Sequence, residues 1–421
     1  MIGTIIRDHL LSVDQPQLRL ALTPHQRQTL LDIAACGTEA CGLHRQRCDH
    51  CGDERMVANT CGNRSCPHCQ AGERRAWVAA REAELLPCGY FHAVLTLPSE
   101  LRGLARAFPL VLDLLLQAAP DAIHHLAAQP NHLGAEVGSV GVLHTWTRDL
   151  RWHPHAHLIV TGGGLRADGT WAWAKRQGRE RRPFLLPVAA LRVALQRRLM
   201  RLLLDAYDRG DFQLGPVEAF PMLASRAAFR AALGRMAQKT WCIRIEPPFG
   251  SPQVLLRYLG RYINRVALAP QRIIGYDRET GTVTIAWTKN DDARTPQTLT
   301  LSVGEFITLF AQHILPQRFV RIRFRGLWAT AHRRTKLERA REILRQLQPA
   351  CTAAHPDASA PPAHALAATH VDDPRRCPVC GIGTYHRLPG GHRSRQAERH
   401  RRIRDLALGM TAMTAGASMT A

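Results

Sequence analysis

The sequence predicts an α+β fold: a central antiparallel sheet flanked by helices, preceded by a small zinc-binding domain. Three observations predict it. Cysteines crowd into residues 36–69, where Cys48-x2-Cys51 and Cys66-x2-Cys69 have the form of zinc knuckles. Ser139–Trp146 and the stretch beginning at Trp152 read as strands joined across a short Arg148-Asp149 turn, and strands joined so tightly run antiparallel. Helical patterns over Leu101–Ala128, Leu185–Arg209 and Ser225–Lys239 lie between strand segments.

With 421 residues the chain can bury a sizeable core and fill two or three domains. Lysine and arginine number 56 against 34 acids, a formal charge of +22. Such a surplus implies a polyanionic partner, nucleic acid first, and binding that weakens steeply with salt as neutralised phosphates release counterions. No run of 18 apolar residues and no secretion signal is present, so neither a membrane span nor export is expected, and a cytoplasmic, nucleoid-associated protein is. The twelve cysteines should then be thiols, clustered for metal rather than for disulfides.

Residues 1–85 are expected to form a helical, zinc-binding, DNA-docking domain. Ile5–Ala35 reads as helix broken at Pro16 and at Thr23-Pro24, with Thr23 as N-cap and Pro24 in the first turn. The two knuckles are separated by 14 residues, one short of the usual ribbon spacing, and would present Cys48, Cys51, Cys66 and Cys69 to one structural zinc ion. Cys36, Cys41, His44 and Cys61 remain as donors for a candidate second zinc. Arg45, Arg47, Arg64, Arg74, Arg75 and Arg81 surround the module, which suits docking on DNA.

Residues 86–348 are expected to form a second domain, with a helical insertion around 185–240. A helix over Glu73–Leu86 leads to the strand Tyr90–Pro98; Pro109 and Pro120 should break the apolar helical region after it. Strand returns at Trp241–Glu246, and Ser251-Pro252 caps a helix carrying Tyr258 and Tyr262. A hairpin around Glu279-Thr280-Gly281, strand Thr298–Ser302, helix Val303–His313, strand Phe319–Phe324 and a basic helix from His332 follow. Residues 349–421 read as a linker, a half knuckle Cys377-x2-Cys380 with His386 and His392 as candidate partners, and a basic tail.

The chemistry centres on Trp152-His153-Pro154-His155-Ala156-His157. In a strand, side chains two apart share a face, so His155 and His157 form a two-imidazole claw that leaves coordination positions open for substrate. Winding Leu255–Val266 as a helix puts Tyr258 and Tyr262 one turn apart, beside Arg257, Arg261 and Arg265, a row of guanidinium groups suited to phosphate. Phenol, with a pKa near ~10, needs an activated phosphate. A divalent ion on the two histidines would provide one, and attack would give a 5′-phosphotyrosine and a free 3′-hydroxyl. That diester keeps the energy for rejoining, so no ATP site is required, and the sequence has no Gly-x4-Gly-Lys-Ser/Thr.

Together, the knuckles with Cys66-Pro67-His68-Cys69-Gln70, the strand Phe91–Pro98, His153-Pro154-His155-Ala156-His157, Tyr258-Leu259-Gly260-Arg261-Tyr262 and His313-Ile314-Leu315-Pro316-Gln317-Arg318-Phe319 resemble the IS91 insertion-sequence family of HUH, two-tyrosine, rolling-circle transposases. The resemblance runs in the family's order to about Leu347. It implies an HUH nuclease domain behind a zinc domain, Mg²⁺ or Mn²⁺ as catalytic ion on His155 and His157, and Tyr258 and Tyr262 as nucleophiles. It further implies single-stranded DNA, at element ends and at the target, as substrate. Ser65 and Asn264 stand where the family commonly has histidine, and neither is assigned a ligand role. His92, His144 and His153 are the candidates for a third catalytic ligand. The alternative readings are a rolling-circle replication initiator and a zinc-dependent DNA-binding protein without catalysis.

Overall fold

In a computed structural model of the chain, residues 1–9, 22–70, 81, 84–177, 182–213, 217–248, 267–288, 296–351, 376–391 and 395–407 are described. The chain opens with helices α1 (Ile2–Asp8) and α2 (Pro24–Ala35). Thr23 and Gln26 close a capping box on α2 with Pro24 in its first turn, as Thr-Pro predicts. Strands β1 (Leu43–Cys48) and β2 (Glu54–Ala58) pair antiparallel across the first knuckle.

The central sheet begins with β3 (Tyr90–Thr96). Helices α3 (Ser99–Ala107) and α4 (Leu110–Ala127) then lead to β4 (Gly138–Trp146) and β5 (Trp152–Thr161). Pro120 does not break α4 as expected. It is buried in a helix whose residues Leu115, Leu116, Ala119 and Ile123 belong to the main core, and burial of that apolar helix outweighs the hydrogen bond its ring removes. Two short hairpins follow, β6 (Gly163–Leu165) with β7 (Trp171–Trp173) and β8 (Lys175–Gln177) with β9 (Arg182–Phe184). Helices α5 (Val188–Asp208) and α6 (Arg226–Ala237) precede β10 (Ile243–Glu246). A separate three-stranded sheet comprises β11 (Ile273–Asp277), β12 (Thr282–Thr288) and β13 (Pro296–Ser302), and α7 (Val303–Ala311) follows it. The chain then supplies β14 (Ile322–Gly326) and α8 (Glu338–Cys351), and ends in β15 (Tyr385–Gly391) and α9 (Gln396–Ala407).

The central sheet has the order β10-β3-β5-β4-β14 with every neighbour antiparallel. Alternation along β5 divides its faces. Ala156, Leu158 and Val160, with Phe91, Ala93 and Leu95 of β3, form one core with α4 and α5. Ile159, with Val140 and Val142 of β4, packs on the other face against Trp328 and against Ala340 and Leu344 of α8. The histidines of β5 occupy the far end of that second face, next to the edge that joins β4 to β5.

The segment read as linker, half knuckle and basic tail contributes its last described elements to the N-terminal layer. Strand β15 pairs with β1, aligning Cys48 with Tyr385 and Arg47 with His386, and α9 packs on α2. Both ends of the chain therefore build one N-terminal sheet and one helical layer. Hydrogen bonds between distant segments decide this, and local patterning does not encode them.

Candidate functional site

His155 and His157 stand side by side on β5, their ring centroids 4.7 Å apart. The β4–β5 register places His144 directly opposite His155 and Val142 opposite His157, so all three imidazoles share the same face. The ring of His144 lies 4.4 Å from that of His157 and 5.6 Å from that of His155. One nitrogen from each of His144, His155 and His157 falls within 4.8 Å of the others. Of the three candidates for a third ligand, then, the sheet brings His144 to the pair. Trp146 stacks on the His144 ring at 4.5 Å and fixes its plane.

Hydrogen bonds set the tautomers. His155 donates Nδ1–H to the His153 carbonyl at 2.7 Å, which leaves its lone pair on Nε2. Glu246 lies opposite His92 in the β10–β3 register, and its carboxylate accepts from His92 Nδ1 at 2.8 Å. With the His92 proton held on Nδ1 by Glu246, its Nε2 accepts from Nδ1–H of His157 at 2.8 Å, so His157 also carries its lone pair on Nε2. Burial pushes His155 down to about 4, which keeps the imidazole neutral at physiological pH, the form that binds metal. His153 stands next to His155, its ring 5.4 Å away, and is outside the three-histidine cluster.

Two four-cysteine clusters lie in the N-terminal layer. Cys36, Cys61, Cys66 and Cys69 form one; Cys48, Cys51, Cys377 and Cys380 form the other. The expected grouping of Cys48, Cys51, Cys66 and Cys69 on one ion is thereby corrected: each knuckle takes a different partner pair. The hairpin of β1 and β2 carries Cys48 and Cys51 away from Cys66 and Cys69, and β15 fills the opposite side with the half knuckle of the tail. Cys41 and His44 join neither cluster. Cys41 is buried and donates its thiol to the Ala35 carbonyl, and burial pushes it up to about 11; His44 is buried in β1 beside Gln46.

In the first cluster Cys36 and Cys61 lie 3.7 and 3.5 Å from Cys69, sulfur to sulfur. A tetrahedron of thiolates at ~2.3 Å from zinc has edges of about 3.8 Å, whereas a disulfide needs about 2.05 Å. Backbone amides of Gly62 and Asn63 donate to Cys69 and Cys61 at 3.3 and 3.4 Å, as the charge of bound thiolates favours. Four cysteines with these spacings fit zinc. Arg64, half-buried between Cys61 and Cys66, is engaged within the protein: its guanidinium donates to the carbonyls of Leu315, Pro316 and Phe319 and so pins the cluster onto the loop before β14.

The tyrosine helix, with Tyr258, Tyr262, Arg257, Arg261 and Arg265, lies outside the described residues. Among the described residues no helix is long and apolar enough to cross a membrane. Sequence reasoning missed the pairing of Cys48 and Cys51 with Cys377 and Cys380. A signal existed: both stretches read Cys-x2-Cys-Gly, and both glycines, Gly52 and Gly381, have positive φ.

Comparison with known proteins bears on the same regions. A family described as "Putative transposase" matches residues 138–336, which include the three histidines, and one described as "Transposase zinc-binding domain" matches residues 5–97. The second match and the first cysteine cluster both support structural zinc. No solved structure matches. The "Putative transposase y4qJ" of Sinorhizobium fredii is 38% identical over 78% of this chain and 81% of its own length. The "Transposase for insertion sequence element IS801" of Pseudomonas savastanoi pv. phaseolicola is 30% identical over 84% of this chain and 81% of its own. With both its zinc-binding region and its central sheet matched in transposases over most of their lengths, the chain belongs to the IS91 family of transposases.

Proposed function

We propose that this transposase nicks and rejoins single-stranded DNA at the ends of an insertion sequence by metal-dependent tyrosine transesterification, driving rolling-circle transposition. The observation that carries the reading is the convergence of His144, His155 and His157 on one face of the central sheet. Three imidazoles, two of them with their lone pairs directed by hydrogen bonds, suit a divalent transition ion, and Mn²⁺ better than Mg²⁺, which prefers oxygen donors. A bound ion there would polarise a non-bridging oxygen of the scissile phosphate and stabilise the departing 3′ oxygen.

Tyr258 and Tyr262 are the nucleophiles in this reading. A phenolate oxygen bonds to phosphorus, the bond from phosphorus to the 3′ oxygen breaks, and the proton lost by the phenol is balanced by the one the 3′-hydroxyl gains. Arg257, Arg261 and Arg265 hold the flanking phosphates. Because the phosphotyrosine diester retains the energy of the broken bond, a second strand end can displace it without ATP, and two tyrosines allow two strands to be held. Partners are thus DNA ends and target, with no ATP and no membrane. Zinc at Cys36, Cys61, Cys66 and Cys69 contributes folding energy rather than chemistry.

Incubation with single-stranded oligonucleotides from the element's ends and Mn²⁺ should yield a protein–DNA adduct that survives denaturation. Tyr258→Phe/Tyr262→Phe should abolish it, as should His155→Ala or His157→Ala. An adduct that persists in the doubly substituted protein would remove the tyrosines from the mechanism.

A further inference from the structure

Cys48, Cys51, Cys377 and Cys380 lie outside everything the proposed reaction uses. Cys48 and Cys380 approach to 3.8 Å and Cys51 and Cys377 to 3.7 Å, sulfur to sulfur. These are the edge lengths of a zinc–thiolate tetrahedron, about 3.8 Å, and far beyond a disulfide. The two halves are alike. Gly52 donates its amide to the Cys48 carbonyl and Gly381 to the Cys377 carbonyl, and φ of +75° and +65° at these glycines turns each strand-end back around the shared centre.

The surrounding contacts are built for this approach. Gly383 passes so close to the first knuckle that a Cβ there would stand 2.5 Å from the Cys48 sulfur and 2.6 Å from His50, so only glycine fits. Asp49 accepts from the Thr384 amide at 2.7 Å and from its hydroxyl at 2.9 Å, Tyr385 donates its hydroxyl to Asp53, and the Arg55 guanidinium lies 3.7 Å over the Tyr385 ring. The amide of Gly383 donates to the Cys380 sulfur at 3.4 Å. The family match for the zinc-binding domain ends at residue 97, so half of this donor set lies beyond it.

We infer that these four cysteines bind a second zinc ion, forming a ribbon split between the two ends of the chain that fastens the C-terminal arm to the N-terminal domain. Cys51 and Cys377 are 326 residues apart in sequence, so the ion closes a loop around the whole central domain. A clip on so long a loop removes more freedom from the unfolded chain than one within a single knuckle pair.

The test uses the full-length protein. Alkylation of the zinc-loaded wild type should spare Cys51, which is exposed, and Cys380, which is partly exposed, while exposed Cys242 reacts; a chelator should release both together. Zinc content should fall by one ion per chain in Cys377→Ser/Cys380→Ser, by one in Cys48→Ser/Cys51→Ser, and by one, not two, when the four substitutions are combined. If Cys51 and Cys380 in the zinc-loaded protein react as fast as Cys242, or if the serine variants keep the wild-type zinc content, the split ribbon is overturned. The alkylation result stands on the wild type alone, whether or not the variants fold.

Discussion

Glu246 reaches the histidine cluster through His92, and that relay is where a single side chain can be tested. Its carboxylate holds the His92 proton on Nδ1, which obliges His157 to present Nε2. Glu246→Ala removes the acceptor without removing a proposed ligand, so the His157 tautomer is no longer enforced. Losing such an outer partner weakens metal binding by roughly 10–100-fold. The Mn²⁺ concentration for half-maximal adduct formation should rise by that factor, with the plateau recovered at saturating Mn²⁺; an unchanged requirement with a lowered plateau would mean that Glu246 acts elsewhere. The His155/His157 claw was legible because alternation in a strand is local. His144 was legible only as one of three candidates, since choosing it needs the pairing register across the Arg148-Asp149 turn. Counting out from the turn would have misplaced it, because the register shifts by one residue between Trp146 and His144: the Trp146–Trp152 pair alone would set His144 opposite Pro154 rather than His155.

At the scale of elements, α9 is held on α2 by one buried carboxylate. Asp32, 5% exposed, receives Arg399, itself 8% exposed, at 3.1 Å, with His400 and Gln396 at 3.0 Å and Asn63 at 3.1 Å. Burial raises its pKa, but the His400 and Asn63 hydrogen bonds and the Arg399 charge outweigh this and hold the carboxyl below its ordinary range. Asp32→Ala leaves a buried guanidinium without its counter-ion, a loss of about 3–5 kcal/mol. Amide exchange over residues 396–407 should then accelerate by roughly two to four orders of magnitude while the central sheet keeps its protection; equal exchange in both proteins would show that other contacts dock α9. Nothing in the basic run Arg387–Arg404 announces this docking. Its helix was read as a tail because charge patterning describes a solvated face, and the partner that buries Arg399 and His400 lies more than 360 residues earlier in the chain. The same distance hid the pairing of the cysteine knuckles, whose local form was plain.

For the whole molecule, a charge of +22 and buried histidines set the response to salt and to acid. If the DNA path neutralises about 6–10 phosphates, raising salt from about 50 to 200 mM should weaken single-strand binding by roughly 300-fold to 10⁴-fold, and filter binding across that range reads the slope directly. Acid acts on the fold. His313 is enclosed beside Trp146 and Trp152, donates Nε2–H to the Leu150 carbonyl at 2.9 Å and accepts from the Thr145 hydroxyl at 3.1 Å, so it must be neutral. His124 lies under β4 against Ser139. Burial pushes both down to about 4. In the unfolded chain each takes up a proton near ~6.5, so the unfolded state binds more protons between that pH and about 4. Their stabilisation is accordingly complete above pH ~6.5 and is lost as pH falls towards 4, by at most about 3 kcal/mol for each. Thiolate protonation and zinc loss act in the same direction, so the histidine share must be read by difference. His313→Gln should be less stable than the wild type at pH 7.5, and the gap between their melting temperatures should narrow steadily down to pH 4.5; parallel curves would mean that His313 takes up its proton equally in the folded and unfolded states, so that its burial does not disfavour the charged ring.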